Sequence, residues 1–369
     1  MVDPRVRTAI EHWMPRFVAQ GVDVNDFFRT TARIERWEQW LEAWCELGEM
    51  HWDLAREAEE KGRSRTAGET YVRAALCYHF AQFLWLVDPE RRRGAHRQAV
   101  EALYAAHRHL DPRAERIEIP FEGTRLVGNL RRPPGTARPP LVLLLPGLDS
   151  AKEEFFHWEE VFLRRDMATF SLDGPGQGEA RENTGIRPDY EIAVKAVLDK
   201  LASRGDLDLE RVGVVGVSLG GYYALRSAAF EPRIRAVVAI SGPYDFGACW
   251  PDLPTLTKEV FIHHARARDE AEGQRRAAEL TLRGLLHQVR QPALVVFGKQ
   301  DRLIPWTQAE QTASELPNGQ LVMYPEGNHV CNNIPYKYRP LVADWIREQL
   351  VWKEVQSSSS IREGGMSRW

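Results

Sequence analysis

The chain has 369 residues, of which 43% are hydrophobic and 10% aromatic, and its formal net charge at pH 7 is −3. A chain of this length can bury a full hydrophobic core, and it predicts more than one domain. The balanced charge argues against a nucleic-acid-binding or membrane-surface protein, and no apolar run approaches the length that crosses a bilayer.

The amino-terminal stretch and the cysteines indicate the cellular compartment in which the protein resides. The first residues, MVDPRVRTAIEHW, contain no apolar segment of the kind that a secretory signal needs. The four cysteines form neither a CxxC pair nor a disulfide framework, and they are scattered over the chain: Cys45, Cys77, Cys249 and Cys331. We therefore predict a cytoplasmic protein.

Residues 1–112 predict a separate helical domain. Apolar residues recur at helical spacing in three stretches, within residues 34–47, 71–85 and 99–110. These stretches are rich in Trp, Tyr and Phe, which usually pack inside a core but can also form the wall of a ligand pocket. The sequence leaves open which role the aromatic side chains have.

Residues 113–355 predict an α/β domain. Two alternating stretches, 116–120 and 125–130, predict a β-hairpin. Buried strands then alternate with helices, which is typical of a mainly parallel, doubly wound sheet with helices on both faces. We predict strands over 141–145, 167–172, 212–215, 234–240, 293–297 and 320–324, and helices over 152–163, 190–201, 222–229, 307–315 and 341–351.

Two stretches depart from this alternation. Residues 246–290 are turn-rich at first and then helical and heavily charged, which predicts an insertion beside the mouth of the active site. Residues 356–369 contain a serine run and glycines, and we predict a disordered tail there.

The motif G-x-S-x-G places Ser218 between Gly216 and Gly220, after a predicted strand and before a predicted helix. This context is typical of a nucleophile elbow, in which the serine occupies a sharp, strained turn. A β-carbon at either flanking glycine would clash where the strand and the helix approach each other. Ser218 is therefore the candidate nucleophile; the alternative is a serine in an ordinary glycine-rich turn.

A serine hydroxyl needs a base within hydrogen-bond reach, and the base needs a carboxylate that holds its tautomer. Asp301 and His329 follow Ser218 in the order that α/β-hydrolases use, each just past a predicted strand. Taken alone, Asp301 could be a turn or helix-capping residue, and His329 could be a loop histidine. Because the three residue types share one order and one setting, we predict that they form a catalytic triad.

The oxyanion that forms during acyl transfer needs two preorganised donors, usually backbone N–H groups. Leu219 begins the helix after the nucleophile, and Leu148 lies in the loop after the first long buried strand. We predict that the N–H groups of Leu148 and Leu219 form the oxyanion hole. Asp149 is a candidate cap for the helix that follows this loop.

The segment from 116 to 351 resembles the α/β-hydrolase superfamily in five motifs: LLLPGLDSAKEEF, FSLDGPGQGEA, GVSLGGYYALRSA, FGKQDRLIP and PEGNHVCNN. With its helical amino-terminal domain, the whole chain resembles the branch that contains 2,6-dihydroxypseudooxynicotine hydrolase and the fungal polyketide-shortening hydrolases. The resemblance implies cleavage of a carbon–carbon bond next to a ketone, a helical domain that closes over the active site as a lid, and a homodimer. It leaves open whether Asp245 or Asp252 in the insertion acts as an auxiliary acid.

These observations predict a serine hydrolase that works through an acyl-enzyme on a small aromatic or polyketide-like molecule. An ester or thioester substrate, acyl transfer or cyclisation on the same triad, and a non-catalytic binding module remain alternatives. We expect no cofactor and no metal, since no His, Cys and Asp cluster has ligand spacing. Residues 174–178 are glycine-rich but lack the lysine of a phosphate-binding loop.

A flat, largely apolar substrate calls for aromatic pocket walls. We predict such walls on both sides of Ser218, from Tyr78 and Trp85 in the helical domain and from Tyr244 and Trp250 near the insertion. The alternative is that these side chains serve only as packed core.

Overall fold

The structure is a computed structural model that describes residues 2–352. The predicted disordered tail, 356–369, lies outside the described residues. Within residues 2–352, no helix combines the length and the apolar composition that crossing a membrane requires.

Residues 4–110 form five helices: α1 (Pro4–Gln20), α2 (Val24–Thr31), α3 (Trp40–Glu60), α4 (Ser64–Gln82) and α5 (Pro89–Leu110). The first helix has clear end signals, because the Asp3 side chain accepts a hydrogen bond from the Arg5 N–H and Gly21 ends the helix with φ 111°. Helix α4 lies between α3 and α5 and is buried on nearly all sides.

The aromatic side chains of these helices pack mainly against one another. Phe17 of α1 stacks on Phe80 of α4 with ring centroids 3.9 Å apart. The Trp40 indole N–H donates to the Phe80 carbonyl over 3.0 Å, and the Trp85 indole N–H donates to the Trp37 carbonyl over 3.0 Å. Buried indoles with satisfied N–H groups are core residues, so packing explains most of the tryptophans here.

The rest of the chain contains one eight-stranded sheet: β1 (Glu115–Phe121), β2 (Thr124–Arg131), β3 (Pro140–Leu145), β4 (Ala168–Asp173), β5 (Asp208–Val217), β6 (Ile234–Ile240), β7 (Ala293–Gly298) and β8 (Gly319–Tyr324). The strand order is β1-β2-β4-β3-β5-β6-β7-β8. β1 and β2 form the predicted hairpin, β2 is antiparallel to β4, and the remaining pairs are parallel. The predicted doubly wound α/β-hydrolase sheet is thereby confirmed.

Helices flank both faces of this sheet and form most of the insertion: α6 (Phe156–Leu163), α7 (Glu191–Leu201), α8 (Leu219–Phe230), α9 (Phe246–Cys249), α10 (Thr255–His264), α11 (Glu270–Ala278), α12 (Thr307–Glu315) and α13 (Pro335–Arg347). The predicted helix 152–163 begins with a 3₁₀ turn, Lys152–Phe155. The predicted helix 341–351 begins earlier, at Pro335, because proline is well suited to the first turn of a helix.

The five amino-terminal helices and the sheet-containing part of the chain are joined by a short connection. Helix α5 ends at Leu110 and β1 begins at Glu115, so the predicted boundary after residue 112 falls in the connection. The division into two domains and the lid role of residues 1–112 stay predictions.

Candidate active site

Four loops converge at the carboxyl edge of the parallel strands. The loops follow β3, β5, β7 and β8, and they carry Leu148, Ser218, Asp301 and His329 respectively. Parallel strands present their carboxyl ends at one edge of a sheet, which is where α/β proteins place their sites.

His329 connects the other two candidate triad residues. Its Nδ1 lies 2.8 Å from Oδ2 of Asp301, and its Nε2 lies 2.9 Å from Oγ of Ser218. Both distances are within hydrogen-bond range, and the order is carboxylate, imidazole, hydroxyl. The structure therefore brings together the three residues that the sequence selected, in an arrangement that suits proton transfer from Ser218 to His329.

The backbone at Ser218 is strained in the way the motif requires. Ser218 has φ 55° and ψ −128°, outside the regions that a non-glycine residue ordinarily adopts. A β-carbon on Gly216 would lie 1.8 Å from the Gly220 carbonyl oxygen, and one on Gly220 would lie 2.2 Å from the Leu145 carbonyl oxygen. The flanking glycines thus allow β5 and α8 to meet closely enough to expose the serine hydroxyl.

Asp301 has both of the roles that the sequence left open. Its Oδ1 accepts hydrogen bonds from the Leu303 and Ile304 N–H groups over 2.9 and 3.1 Å. Its Oδ2 contacts His329. The two backbone donors orient the carboxylate, so the turn that it stabilises also aims it at the imidazole.

The candidate oxyanion donors lie on either side of Ser218. Leu148 and Leu219 line the same cavity as Ser218. Within residues 2–352, neither of their backbone N–H groups has a hydrogen-bond acceptor. Two free donors beside a nucleophile are what an oxyanion hole needs.

The loop that carries Leu148 is held through its carbonyl groups. The Gln177 side-chain amide donates to the Pro146 and Gly147 carbonyls over 2.6 and 2.9 Å. His264 Nδ1 lies 2.9 Å from the Leu148 carbonyl oxygen. These contacts orient the Leu148 peptide and leave its N–H free.

Sequence reasoning missed Gln177 and His264 as positioning residues. Gln177 belongs to the glycine-rich stretch 174–178, which lacks the lysine of a phosphate-binding loop, and the Tyr190 hydroxyl donates to its Oε1 over 2.7 Å. His264 lies in the predicted insertion, 246–290. No local signal marks either residue, because each contact is made to a distant loop.

The cavity in front of Ser218 encloses about 50 Å³. A cleft of about 560 Å³ adjoins it and shares Trp13, Arg16, His329 and Asn332 with it. The aromatic residues that line the cavity are Trp13, Phe155, Trp158, Phe246 and Tyr338. The cleft is within the size range of small-molecule sites, whereas the cavity alone admits only a small group.

Helix α1 supplies one wall of this cavity through Trp13, Arg16 and Gln20. The Trp13 ring meets the His329 imidazole edge to face, with centroids 6.4 Å apart. Sequence reasoning missed these residues. The end signals of α1 were readable from Asp3-Pro4 and Gly21, but they do not say what the helix packs against.

A buried group of charges joins α1 to the loop after β3. Arg16 donates two hydrogen bonds of 2.7 Å to Glu154 and one of 2.7 Å to Asp149. His79 Nε2 of α4 lies 3.1 Å from Glu154 Oε2. Burial raises the pKa of Glu154, but the adjacent Arg16 guanidinium outweighs it and holds that pKa well below its usual range.

Replacing Arg16 by methionine is expected to lower the free energy of unfolding by about 3–5 kcal/mol, because Glu154 and Asp149 would stay buried without a cation. Urea unfolding measures this change. Arg65→Met is the matched control, since Arg65 forms an exposed pair with Glu69 and should cost only about 0.3–0.5 kcal/mol. Adding Glu154→Gln to Arg16→Met should recover part of the loss; if the two losses simply add, the residues are not coupled.

The structure does not bring the four predicted aromatic wall residues to this cavity, and that prediction is replaced by the walls described above. Trp85 and Tyr78 belong to the helical core, where Tyr78 packs against Gly48. The Tyr244 hydroxyl donates to Glu315, and Trp250 packs on Phe261. Each side chain is buried against its own neighbours, so its aromatic character serves packing.

The insertion contributes Phe246, Leu253 and Thr257 to the cavity, as its predicted position implies. Neither candidate auxiliary acid lines the cavity. Asp245 caps α9 at the Ala248 N–H and pairs with Arg283 over 3.0 Å. The carboxylates that do line it are Asp149 and Glu154, and both are paired with Arg16.

In the described part of the chain, one group of side chains has the composition of a metal site. His96, Glu153 and Asp173 place possible ligand atoms within 4.8 Å of one another. The Lys152 ammonium contacts Glu153 and lies 2.9 Å from Asp173 Oδ2. The buried Lys152 ammonium offsets part of the charge of these carboxylates, so an ion-paired network explains why they lie together.

Comparison with known proteins places the chain among hydrolases. A family described as FrsA-like esterases matches residues 18–351. The 2,6-dihydropseudooxynicotine hydrolase of Paenarthrobacter nicotinovorans is 36% identical over 343 residues, which cover 91% of each chain. The 20-hydroxy-prefusarin hydrolase FUS2 of Gibberella moniliformis is 37% identical over 244 residues, which cover 61% of this chain and 58% of that protein.

Solved structures agree on the fold. A crystal structure of 2,6-dihydroxy-pseudo-oxynicotine hydrolase has a TM-score of 0.85 and 34% identity, with 92% of this chain and 96% of that chain covered. A structure described as AbyA5 has a TM-score of 0.67 over 87% of this chain and 89% of that chain, and at 22% identity it bears on the fold alone. The helical and sheet parts both belong to the matched region, since more than nine-tenths of the chain is covered.

Proposed function

Because this chain belongs to the FrsA-like esterase family, and is a hydrolase with the α/β-hydrolase fold, we propose that it is a serine hydrolase. In this proposal Ser218, His329 and Asp301 cleave a carbon–carbon bond next to a ketone in an aromatic or polyketide-like substrate. The observation that carries the proposal is the hydrogen-bonded chain from Asp301 through His329 to Ser218, beside two free backbone donors.

The first half of the reaction forms an acyl-enzyme. The Ser218 oxygen attacks the substrate carbonyl carbon while His329 Nε2 takes the hydroxyl proton. Asp301 holds the imidazole in the tautomer that can accept this proton. The Leu148 and Leu219 N–H groups stabilise the negative charge on the former carbonyl oxygen.

Collapse of this intermediate breaks the bond to the leaving group. In carbon–carbon cleavage the electron pair goes to the departing carbon, which a neighbouring ketone stabilises as an enolate, and His329 returns the proton to it. Water then attacks the acyl carbon as His329 removes one of its protons, and Ser218 regains a hydrogen as the acid leaves. The balance is one water consumed for two products, with no redox change.

Two observations favour an aromatic substrate, and cleavage of a carbon–carbon bond is what the resemblance to the branch named above implies. The relatives named above act on 2,6-dihydropseudooxynicotine and 20-hydroxy-prefusarin. The aromatic lining of the cavity, with Trp13 on one side and Phe246 on the other, suits flat apolar groups. In the proposed arrangement a small acyl group occupies the 50 Å³ cavity and the rest of the substrate extends into the 560 Å³ cleft.

Aryl β-diketones and naphthopyrone-like polyketides are expected to exceed p-nitrophenyl acetate and butyrate in kcat/KM by about tenfold or more, or about 1.4 kcal/mol in transition-state binding. The reason is that only the larger substrates contact both the aromatic cavity and the cleft. The measurement is kcat/KM for each compound, with the Ser218→Ala protein as the background for each.

A preference of about a hundredfold for the short esters, roughly 2.7 kcal/mol, would instead identify an ordinary esterase. Products that carry the acyl group on a nucleophile other than water would identify acyl transfer or cyclisation. Turnover of any of these substrates excludes the binding-module alternative. The homodimer stays a prediction.

A further inference from the structure

A second cavity lies on the other side of the loop that carries Leu148, between α5, α10 and the 3₁₀ turn Gly178–Glu182. It encloses about 190 Å³, against roughly 30 Å³ for one water molecule in the liquid. We call it the arginine cavity, because among residues 2–352 Glu182 is its one lining carboxylate and four guanidinium groups line it: Arg92, Arg93, Arg181 and Arg266.

Two of these arginines are buried without a carboxylate partner. Arg92 is 4% exposed and Arg181 is 8% exposed. Arg92 donates to the Gln82 carbonyl, and Arg181 donates to Gln82 Oε1 over 3.1 Å, so their partners within residues 2–352 are neutral groups. A buried guanidinium is ordinarily paired with a carboxylate or phosphate, because an uncompensated charge away from water is costly.

Three polar donors of the arginine cavity also lack an acceptor. Nε and Nη2 of Arg181 and Nε2 of the fully buried Gln82 form no hydrogen bond within the described part of the chain. All three atoms belong to residues that line the same space. Because buried donors are nearly always satisfied, three unpartnered donors on two residues that line one cavity indicate a ligand rich in acceptor oxygens.

The pKa of His263, which also lines the arginine cavity, indicates a positive electrostatic potential there. Burial and then the nearby Arg92 and Arg181 guanidiniums lower the pKa of His263 to about 4, so His263 is neutral at pH 7. His96, the other lining histidine, has its Nε2 3.5 Å from Oε2 of Glu153. The net charge of the cavity wall is therefore strongly positive.

We propose that the arginine cavity binds a small dianion through its phosphate or carboxylate oxygens. Arg181 and Gln82 donate to the buried oxygens of this ligand, and Arg93 and Arg266 lie at the mouth. A planar guanidinium fork matches two oxygens of one phosphate or carboxylate group, which favours such a group over chloride. The inference does not rest on the proposed function.

Arg92 should not be the residue that is changed to test this site. Its Nη2 lies 2.8 Å from His264 Nε2, and His264 Nδ1 in turn lies 2.9 Å from the Leu148 carbonyl oxygen. An arginine only donates, so His264 accepts at Nε2 and donates from Nδ1 to Leu148. Changing Arg92 would thus disturb the loop that carries the proposed oxyanion donor.

The test is isothermal titration of the full-length protein with inorganic phosphate and, separately, with malonate, at about 0.15 M sodium chloride. We expect saturable one-site binding of at least one of the two. Tighter binding of phosphate would identify a phosphate ester as the ligand class, and tighter binding of malonate a dicarboxylate. No saturable heat with either anion would overturn the proposal.

Three variants test whether the anion binds in the arginine cavity. Arg181→Gln should weaken it about tenfold or more, since one charge-assisted hydrogen bond is lost. Glu182→Gln should tighten it severalfold, because it removes the one carboxylate of the wall, and structural damage would not produce this gain. Arg233→Gln is the control, since Arg233 lies outside the arginine cavity, where it pairs with Glu231 and Asp199.

Equal affinities in Arg181→Gln and Arg233→Gln would place the binding outside the arginine cavity and overturn the inference. If Arg181→Gln does not fold, Arg93→Gln and Glu182→Gln decide the question, because the inference requires them to shift the affinity in opposite directions. Arg93 is a half-buried residue at the mouth of the cavity, and its ion pairs are with Glu90 and Glu182.

Discussion

Ser218→Ala is expected to lower kcat by on the order of a million-fold, as removal of the nucleophile does in serine hydrolases that use a triad. The Ser218 hydroxyl is the atom that His329 contacts, and alanine removes it without adding bulk. The fold should persist, because the strained turn is held by the close approach at Gly216 and Gly220. The measurement is kcat on whichever substrate of the panel is turned over fastest.

Ser150→Ala is the matched control, because Ser150 is the other serine that lines the cavity. Its hydroxyl donates to Glu154, and it makes no hydrogen bond with His329 within the described residues. A fluorophosphonate probe should label the wild type and Ser150→Ala, and it should leave Ser218→Ala unlabelled. If purified Ser218→Ala keeps more than about a tenth of the wild-type activity, the nucleophile assignment fails.

Asp301→Asn is expected to lower kcat by on the order of ten-thousand-fold, the scale known for the corresponding change in a serine protease triad. An asparagine amide would no longer hold the imidazole with its proton on Nδ1, nor stabilise the imidazolium that forms. Its remaining carbonyl oxygen can still accept from the Leu303 and Ile304 N–H groups. The loss therefore reports the contact with His329 rather than a disrupted turn.

Asp245→Asn is the control for this change, because Asp245 also caps a turn but lies outside the cavity. Its kcat should stay within about tenfold of the wild type. Urea unfolding of both variants checks that the fold is kept. Comparable losses of kcat in Asp301→Asn and Asp245→Asn would contradict a specific role for Asp301.

The strands and helices could be predicted because the hydrophobic patterns that mark them lie within each element. Apolar runs mark strands buried on both faces, and β6 has the predicted bounds, 234–240, with Arg235 as its one polar and exposed residue. Helix α12 likewise has the bounds predicted from its periodicity, residues 307–315. The ends of α13 and α6 were less well predicted, since a leading proline or a 3₁₀ turn shifts a boundary without changing the periodicity.

The candidate triad was predictable for a related reason. Parallel strands share one carboxyl edge, so residues that follow different strands meet there even when they are far apart in the chain. Ser218 and His329 are 111 residues apart and lie within hydrogen-bond distance. The glycines around Ser218 added a second local constraint, because a tight turn has few permitted residues.

Local sequence signals were enough to predict the fold class, the strand-end positions of Ser218, Asp301 and His329, and the loop of Leu148. What covers these residues depends on tertiary contacts: α1 forms a wall of the cavity through Trp13 and Arg16, and Trp85 belongs to the helical core. Periodicity shows that a helix face is buried but not which surface buries it. The contacts that decide this join residues such as Arg16 and Glu154, 138 positions apart, and no local rule links such pairs.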